Sequence, residues 1–434
     1  MNIMILASSP YSHIIQLEPL VKELLSKNHI VTILSDKRNK DMIENFGANF
    51  LNYPQGISPA SAKNADYNNI IKEYNTLIEN KKYDQAINYF ISQDAKAVFD
   101  INDKQLKSMI DIIRNLKINL IFRDAVDKFG IMVGRKLNIP TIGYMTHNLY
   151  SRDFFEQNEE QLYSLLLDNR NKIPIEYFRG FRNKVDKYFN KYSMEFGYKI
   201  NSYHQLDPNS EFTILFSTSF IQPIESLNNN RKYLYVYPNS NRFYCEENIN
   251  LDIQKFIEKY KKIIYISSGT IICQSFSYYR GFIEGFKNND KIGLVISAGK
   301  CSMMLEKYLC DHNILNVLIL DSAPQKYILS NSDLFITSGG QNSILESIYF
   351  KVPMLVTPLT SEQRLNGYII ERNNFGLTTS KNMGIDKTIG TMIGELIESS
   401  KIRLSIYKAS EDIKHHYNNF SSMWSYIDSV KNER

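Results

Sequence analysis

Short apolar runs alternate with stretches of helical periodicity through most of the chain, and that alternation allows few architectures. Strands that are apolar without interruption are covered on both faces, and the helices between them carry the crossovers of a parallel sheet. The first half gives IMILA, IVTIL, NLIFR, TIGYM and FTILFST as strands, and the second gives KIIYISS, IGLVIS, VLILD, DLFIT and MLVTP. Between the first two strands, Ile14, Leu17, Val21, Leu24 and Leu25 recur at helical spacing and predict a helix lying on the sheet. Residues 276–286 and 341–349 are predicted helices of the second half.

A chain of 434 residues exceeds one ordinary core, so two α/β domains are expected, each a doubly wound parallel sheet. Periodicity lapses in SLNNNRKYLYVYPNSNR, which places the join there. The expected division is an N-terminal domain over 1–232, a C-terminal domain over 233–400, and helices over 401–434 that return to the N-terminal domain. Polar and aromatic insertions, about 64–108 and 153–203, interrupt the first half. The second contains NKIPIEYFRGFRNKVDKYFNKYSMEFGYK, a basic aromatic helix. It suits weak contact with a membrane surface, a grip on a ligand, or a solvated helix covering part of the core.

With 22% charged residues and a net charge of only +5, the chain is not expected to bind nucleic acid. Cys245, Cys273, Cys301 and Cys310 show no metal-ligand spacing and read as reduced thiols of a cytoplasmic protein. The opening MNIMILASSP reads as a buried strand, its apolar run being too short for a leader or a membrane span.

The densest chemistry sits in FITSGGQNSILES. DLFIT is a strand, SGG the turn at its carboxyl end, and QNSILESIYFK a helix stopped by Pro353. Ligands of open α/β sheets bind at that edge. Gly339 and Gly340 let the backbone approach a ligand, and the free N–H groups of the helix start attract an anion such as a phosphate. Asn342 and Ser343 fall in the first turn; Glu346, one turn on, projects from the same side, placed to accept from sugar hydroxyls, while Ile344, Leu345 and Ile348 face the sheet. Glycines after a strand also serve as mere tight turns, and no G-x-G-x-x-G or P-loop is present.

The run from NVLILDSAPQ to NNFGL resembles the donor-binding signature of the UDP-glycosyltransferases, including the bacterial macrolide glycosyltransferases. Pro324, Gln325, Gly339, Gly340, Asn342, Ser343, Glu346, Pro353, Pro358, Gln363 and Asn366 agree in order and spacing. SHIIQLEPLVKELLSKNHIVTIL resembles the family's first loop and helix, with His13 at the histidine position, and LIFRDAVDKFGIMVGRKLNIPTI resembles the segment whose strand ends in an aspartate, here Asp124.

The resemblance implies a GT-B fold of two facing Rossmann-like domains, the acceptor in the first, the nucleotide sugar in the second, and inverting transfer between them without a metal or other cofactor. The chain has no D-x-D motif, in keeping with that. An acceptor hydroxyl needs a base, and His13 is the candidate, with Asp124 orienting it and stabilising the imidazolium. IYISSGT resembles the loop contacting the distal phosphate and offers Ser268, Gly269 and Thr270, residues that equally suit a strand cap. Gln325 is expected near the base, and Glu362 with Gln363 near the hexose; Glu362 equally suits a first helical turn.

Three positions depart from the family. Ser338 stands where a histidine is usual and offers the diphosphate no charge, so weaker donor binding is expected. Ser322 replaces an aromatic that stacks on the base, and Glu362 replaces an aspartate. Glu346 favours a ribose donor such as UDP over dTDP. The expected activity is transfer of a hexose from a UDP-sugar, UDP-glucose or UDP-N-acetylglucosamine, to a small hydrophobic acceptor. A nucleotide-sugar epimerase and a non-catalytic auxiliary subunit are the alternatives.

Overall fold

A computed structural model of the chain describes residues 1–8, 10–54, 67–90, 103–127, 129–166, 174–196, 207–208, 210–238, 240–243, 249–269, 274–379 and 387–432. It divides into two units, one of residues 1–163, 169–238 and 417–434, the other of 164–168 and 239–416.

The first unit is built on seven parallel strands, β1 (Asn2–Leu6), β2 (Ile30–Ser35), β3 (Asn49–Asn52), β4 (Leu120–Asp124), β5 (Thr141–Met145), β6 (Phe212–Leu215) and β7 (Lys232–Tyr235). Their order is β3-β2-β1-β4-β5-β6-β7, so the direction of winding reverses between β1 and β4. Successive residues serve opposite faces, as the pleat requires. Ile3, Ile5 and Ala7 join one core with Leu20, Val21 and Leu24 of the helix Glu18–Ser26, while Met4 and Leu6 join a second with Met109, Ile113 and Val133 of the opposite helices. The helix predicted between the first two strands is formed over Glu18–Ser26, preceded by a tighter turn over Ile15–Leu17.

In the second unit six parallel strands, β8 (Lys262–Ser267), β9 (Ile292–Ser297), β10 (Val317–Leu320), β11 (Leu334–Thr337), β12 (Met354–Val356) and β13 (Gly376–Thr378), run β10-β9-β8-β11-β12-β13. The reversal here lies between β8 and β11. The helices Phe276–Phe286 and Gln341–Tyr349 have the predicted bounds.

The domain boundaries need correction at two points. β7 pairs with β6, register Phe212 to Lys232 through Leu215 to Tyr235, so the first unit runs to Pro238 and not to 232. The C-terminal stretch is divided as well. The helix Ser400–His415 stays with the second unit, where Ser410 donates to the Tyr349 carbonyl at 2.7 Å and Lys351 meets Glu411 at 3.1 Å. Only the helix Ser421–Asn432 joins the first unit. Met423 and Ile427 enter its core, and the Trp424 indole donates to Glu23 Oε1 at 2.7 Å.

The insertions are described in part. Helices Tyr67–Glu79 and Tyr83–Phe90 from the first meet Ile175–Phe196 from the second. Tyr74 and Tyr177 hydroxyls lie 2.9 Å apart, the Tyr83 and Tyr177 rings 5.1 Å apart, and Lys184 pairs with Asp84 at 2.6 Å. Tyr177 is buried, so at least this part of the aromatic content builds a core and not a ligand wall. No helix among the described residues is long and apolar enough to cross a membrane. Cys301 is buried, Cys310 is exposed and neither forms a disulfide; Cys245 and Cys273 lie outside the described residues.

Candidate functional site

Each sheet carries polar chemistry where its winding reverses, the place where open α/β sheets hold ligands. In the first unit, β1 leads into the turn Tyr11–Ile14, which presents His13, and β4 ends on Asp124. His13 Nδ1 lies 2.7 Å from Asp124 Oδ2. The imidazole is 19% exposed and the carboxylate wholly buried, so a ligand reaches the ring and not the acid. Asp124 Oδ1 accepts from the Val126 amide at 3.2 Å. Burial alone would raise the Asp124 carboxyl, but the charge and hydrogen bond of His13, the charge of nearby His147 and the Val126 amide outweigh it and hold the group below the usual aspartate range.

An ionised carboxylate only accepts, so the 2.7 Å contact puts a proton on Nδ1, and whenever the ring is neutral its lone pair lies on Nε2. That is the tautomer of a general base. The sequence reading missed two neighbours. Thr146 Oγ1, just past β5, stands 2.8 Å from the same Nδ1, and the His147 ring lies 6.3 Å from that of His13. Their signal was the polar THN closing a buried strand.

In the second unit the expected donor residues gather on the loops after β8, β10, β11 and β12. Gly339 needs its freedom: at φ +87° its backbone is left-handed, and a Cβ would come within 2.7 Å of Val356 Cγ1. Gly340 differs. Its φ is −68°, and a Cβ there would meet nothing within 4 Å. The N-cap of the helix Gln341–Tyr349 is Gly340, which has no side chain to cap it, and a helix start of this kind suits an anion.

Glu346 does not stand alone. Gln325 Nε2 donates to Glu346 Oε2 at 2.6 Å and lies 3.4 Å from Ser343 Oγ, while the Tyr265 hydroxyl donates to Gln325 Oε1 at 3.3 Å. Gln325, which caps off from Pro324, therefore sits with the carboxylate expected to take a ribose. Asn342 is half-buried in the same first turn.

Ser338 is buried and committed: its hydroxyl donates to the Ser268 carbonyl at 2.9 Å and accepts from Gln363 Nε2 at 3.3 Å. Donation to a phosphate would require breaking the first of these bonds. Gln363 closes a capping box with Thr360, its Oε1 accepting from the Leu359 and Thr360 amides at 2.8 and 3.0 Å. Asn366 Nδ2 donates to the Gly339 carbonyl at 2.8 Å and so fixes the glycine turn. Ser268 Oγ lies 2.8 Å from the Tyr279 hydroxyl, and Gly269 is left-handed at φ +85°. Glu362 is exposed on the first turn of Ser361–Arg372, and Ser322 is exposed ahead of Pro324. Thr270 lies outside the described residues.

Residues 310–411 match the family model of UDP-glucoronosyl and UDP-glucosyl transferases. The uncharacterized UDP-glucosyltransferase YdhE of Bacillus subtilis (strain 168) is 24% identical over 328 residues, 75% of this chain and 76% of that one. Among solved structures, the glycotransferase of kitacinnamycin superposes with a TM-score of 0.70 at 16% identity, over 99% of this chain and 98% of that one. UDP-glucose: anthocyanidin 3-O-glucosyltransferase, solved in complex with UDP, gives 0.69 at 15% identity over 99% of each chain. The donor segment thus resembles that of the UDP-glucoronosyl and UDP-glucosyl transferases, the similarity to a UDP-glucosyltransferase extends over three quarters of the chain, and the two-sheet fold is the GT-B fold of the solved glycosyltransferases.

Proposed function

We propose that the chain moves a hexose from a UDP-sugar, UDP-glucose or UDP-N-acetylglucosamine, to a hydroxyl of a small hydrophobic acceptor in the cytoplasm, inverting the anomeric centre and using no metal or other cofactor. The observation that carries the proposal is the 2.7 Å pairing of His13 with a buried Asp124 at the reversal of the first sheet. The acceptor hydroxyl gives its proton to His13 Nε2 as its oxygen attacks the anomeric carbon, and Asp124 balances the imidazolium that forms. The bond to the diphosphate breaks on the opposite side, which inverts the centre and releases UDP.

Charge that develops on the leaving diphosphate is met in this reading by neutral donors, the amide of Gly340 and those opening the helix Gln341–Tyr349, while the Gly339 amide donates to Thr337 Oγ1 at 3.2 Å. Among the described residues no group of three or more His, Cys, Asp and Glu is arranged to hold a metal ion. Glu346, with Gln325 and Ser343 beside it, suits the two ribose hydroxyls. Glu362 and the second N–H of Gln363 are assigned to the hexose. The likeness to neighbours named for kitacinnamycin and for anthocyanidin and UDP-glucose supports an aromatic or apolar acceptor.

The test is a thermal-shift panel of nucleotide sugars followed by mass spectrometry of candidate acceptors incubated with the stabilising donor and a chelator. A gain of one hexose is expected, with a stabilisation of about 2.7 kcal/mol at a hundredfold excess of donor over its Kd. Conversion of UDP-N-acetylglucosamine to its manno isomer without an acceptor would select an epimerase, and no stabilisation by any nucleotide sugar would select an auxiliary subunit.

A further inference from the structure

We infer that Thr146 is a positioning residue for His13, its hydroxyl oxygen acting beside Asp124 as a second acceptor for the Nδ1–H and so fixing the ring with Nε2 free of a proton. The inference rests on the reading of His13 as the base. Two oxygens stand almost equally close to one nitrogen, Asp124 Oδ2 at 2.7 Å and Thr146 Oγ1 at 2.8 Å. The carboxylate cannot donate, so the proton is on Nδ1, and the Thr146 oxygen facing that N–H can only accept from it. The arrangement is a three-centre hydrogen bond.

Thr146 is held for this task. It is buried at the carboxyl end of β5, and its carbonyl accepts from Gln16 Nε2 at 3.0 Å. The same Gln16 nitrogen donates at 2.9 Å to the Ser12 carbonyl, next to His13. One buried amide thus ties the β5 loop to the turn that carries the imidazole. Among the described residues, Asp124 and His147 are titratable groups beside the ring, with Tyr53, Tyr144 and Asp127 grouped about Asp124.

When His13 takes a proton on Nε2, positive charge spreads to the Nδ1–H, and both oxygens stabilise it. A valine at 146 keeps the shape and removes one of them. The imidazolium is then less stable, so the ring titrates at lower pH, and the acid limb of the pH–rate profile moves the same way.

The experiment labels the histidines with 15N and follows the His13 ring by NMR through a pH titration, the signal being assigned by its loss in His13→Asn. The wild type is expected as the Nδ1–H tautomer. In Thr146→Val, or Thr146→Ala should the valine variant not fold, the protonation constant of the ring is expected to fall about fivefold, the worth of one neutral hydrogen bond. With a UDP-sugar donor kcat falls by a similar factor, donor KM is unchanged, and Thr146→Ser restores both ring and rate. A wild-type ring in the Nε2–H tautomer, or a variant ring titrating as in the wild type, overturns the inference whatever the turnover. A ring that shifts as expected in a chain that transfers no sugar would instead leave the Thr146 assignment standing and overturn the proposed function.

Discussion

The two sheet reversals of this chain solve different problems with different materials. At β1 and β4 the site is made of ionisable side chains, an imidazole within reach of solvent backed by a buried carboxylate. At β8 and β11 it is made largely of backbone, with left-handed glycines, a helix start whose N-cap is a glycine, hydroxyls bonded to the backbone, and an amide on the Glu346 carboxylate. The first arrangement suits moving a proton, because its charge state can change. The second suits holding a charged leaving group, because fixed dipoles need no reorganisation as charge develops. In the proposed function one topology would serve chemistry in one unit and binding in the other, and the difference lies in what each loop brings to the same kind of edge.

Substitutions on the first side should affect rate, and those on the second should affect donor affinity. The largest expected effect is that of His13→Ala, a loss of about 10³–10⁴ in kcat with the UDP dissociation constant unchanged by calorimetry. Asp124→Asn follows, at about 10²-fold or more, since an amide no longer demands a proton on Nδ1. That variant also gives a pH signature. The folded carboxyl titrates below its unfolded value, so its stabilisation is present above about pH 4 and is lost as pH falls through the depressed native value. The melting-temperature difference between wild type and Asp124→Asn should therefore be full near neutrality and close on acidification. A difference that persisted in acid would contradict an ionised Asp124.

On the second side, Glu346→Ala should weaken UDP binding about tenfold by calorimetry while kcat at saturating donor stays within a few fold. The two glycines then separate structure from ligand. Gly339→Ala strains a left-handed position and crowds Val356, so a stability loss of about 1–2 kcal/mol is expected in a denaturant melt. Gly340→Ala has room and an ordinary backbone, so the melt should not move; only donor binding should weaken, if the diphosphate approaches that Cα. Unchanged affinity in Gly340→Ala would remove the diphosphate from this turn.

The sequence exposed the second site more fully than the first. The donor loop is contiguous, so strand, glycines, helix start and Glu346 could be read together, whereas His13 and Asp124 stand far apart in the chain and gained meaning as a pair only from the family resemblance. Thr146 was not legible, because only the folded sheet lays β5 beside β4 and brings a third loop to the ring. Interior strands declared themselves by unbroken apolar runs. The three that went unread, β3, β7 and β13, all lie at sheet edges, where one side meets no partner strand and NFLN, KYLY and GLT carry little or no such run. Reading KYLY as part of the join is what displaced the domain boundary. The split of the C-terminal helices was hidden for another reason: Ser400–His415 and Ser421–Asn432 are both amphipathic, and amphipathicity shows that a face is buried, not which core receives it.

The central claim is that sugar transfer proceeds by base-assisted attack without a metal. The most direct measurement is proton NMR of the product formed from α-linked UDP-glucose and a phenolic acceptor in excess chelator. The account predicts a β-linked glucoside formed at the same rate as without chelator and absent with His13→Ala. An α-linked product, or transfer that stops when metal is removed, would contradict it.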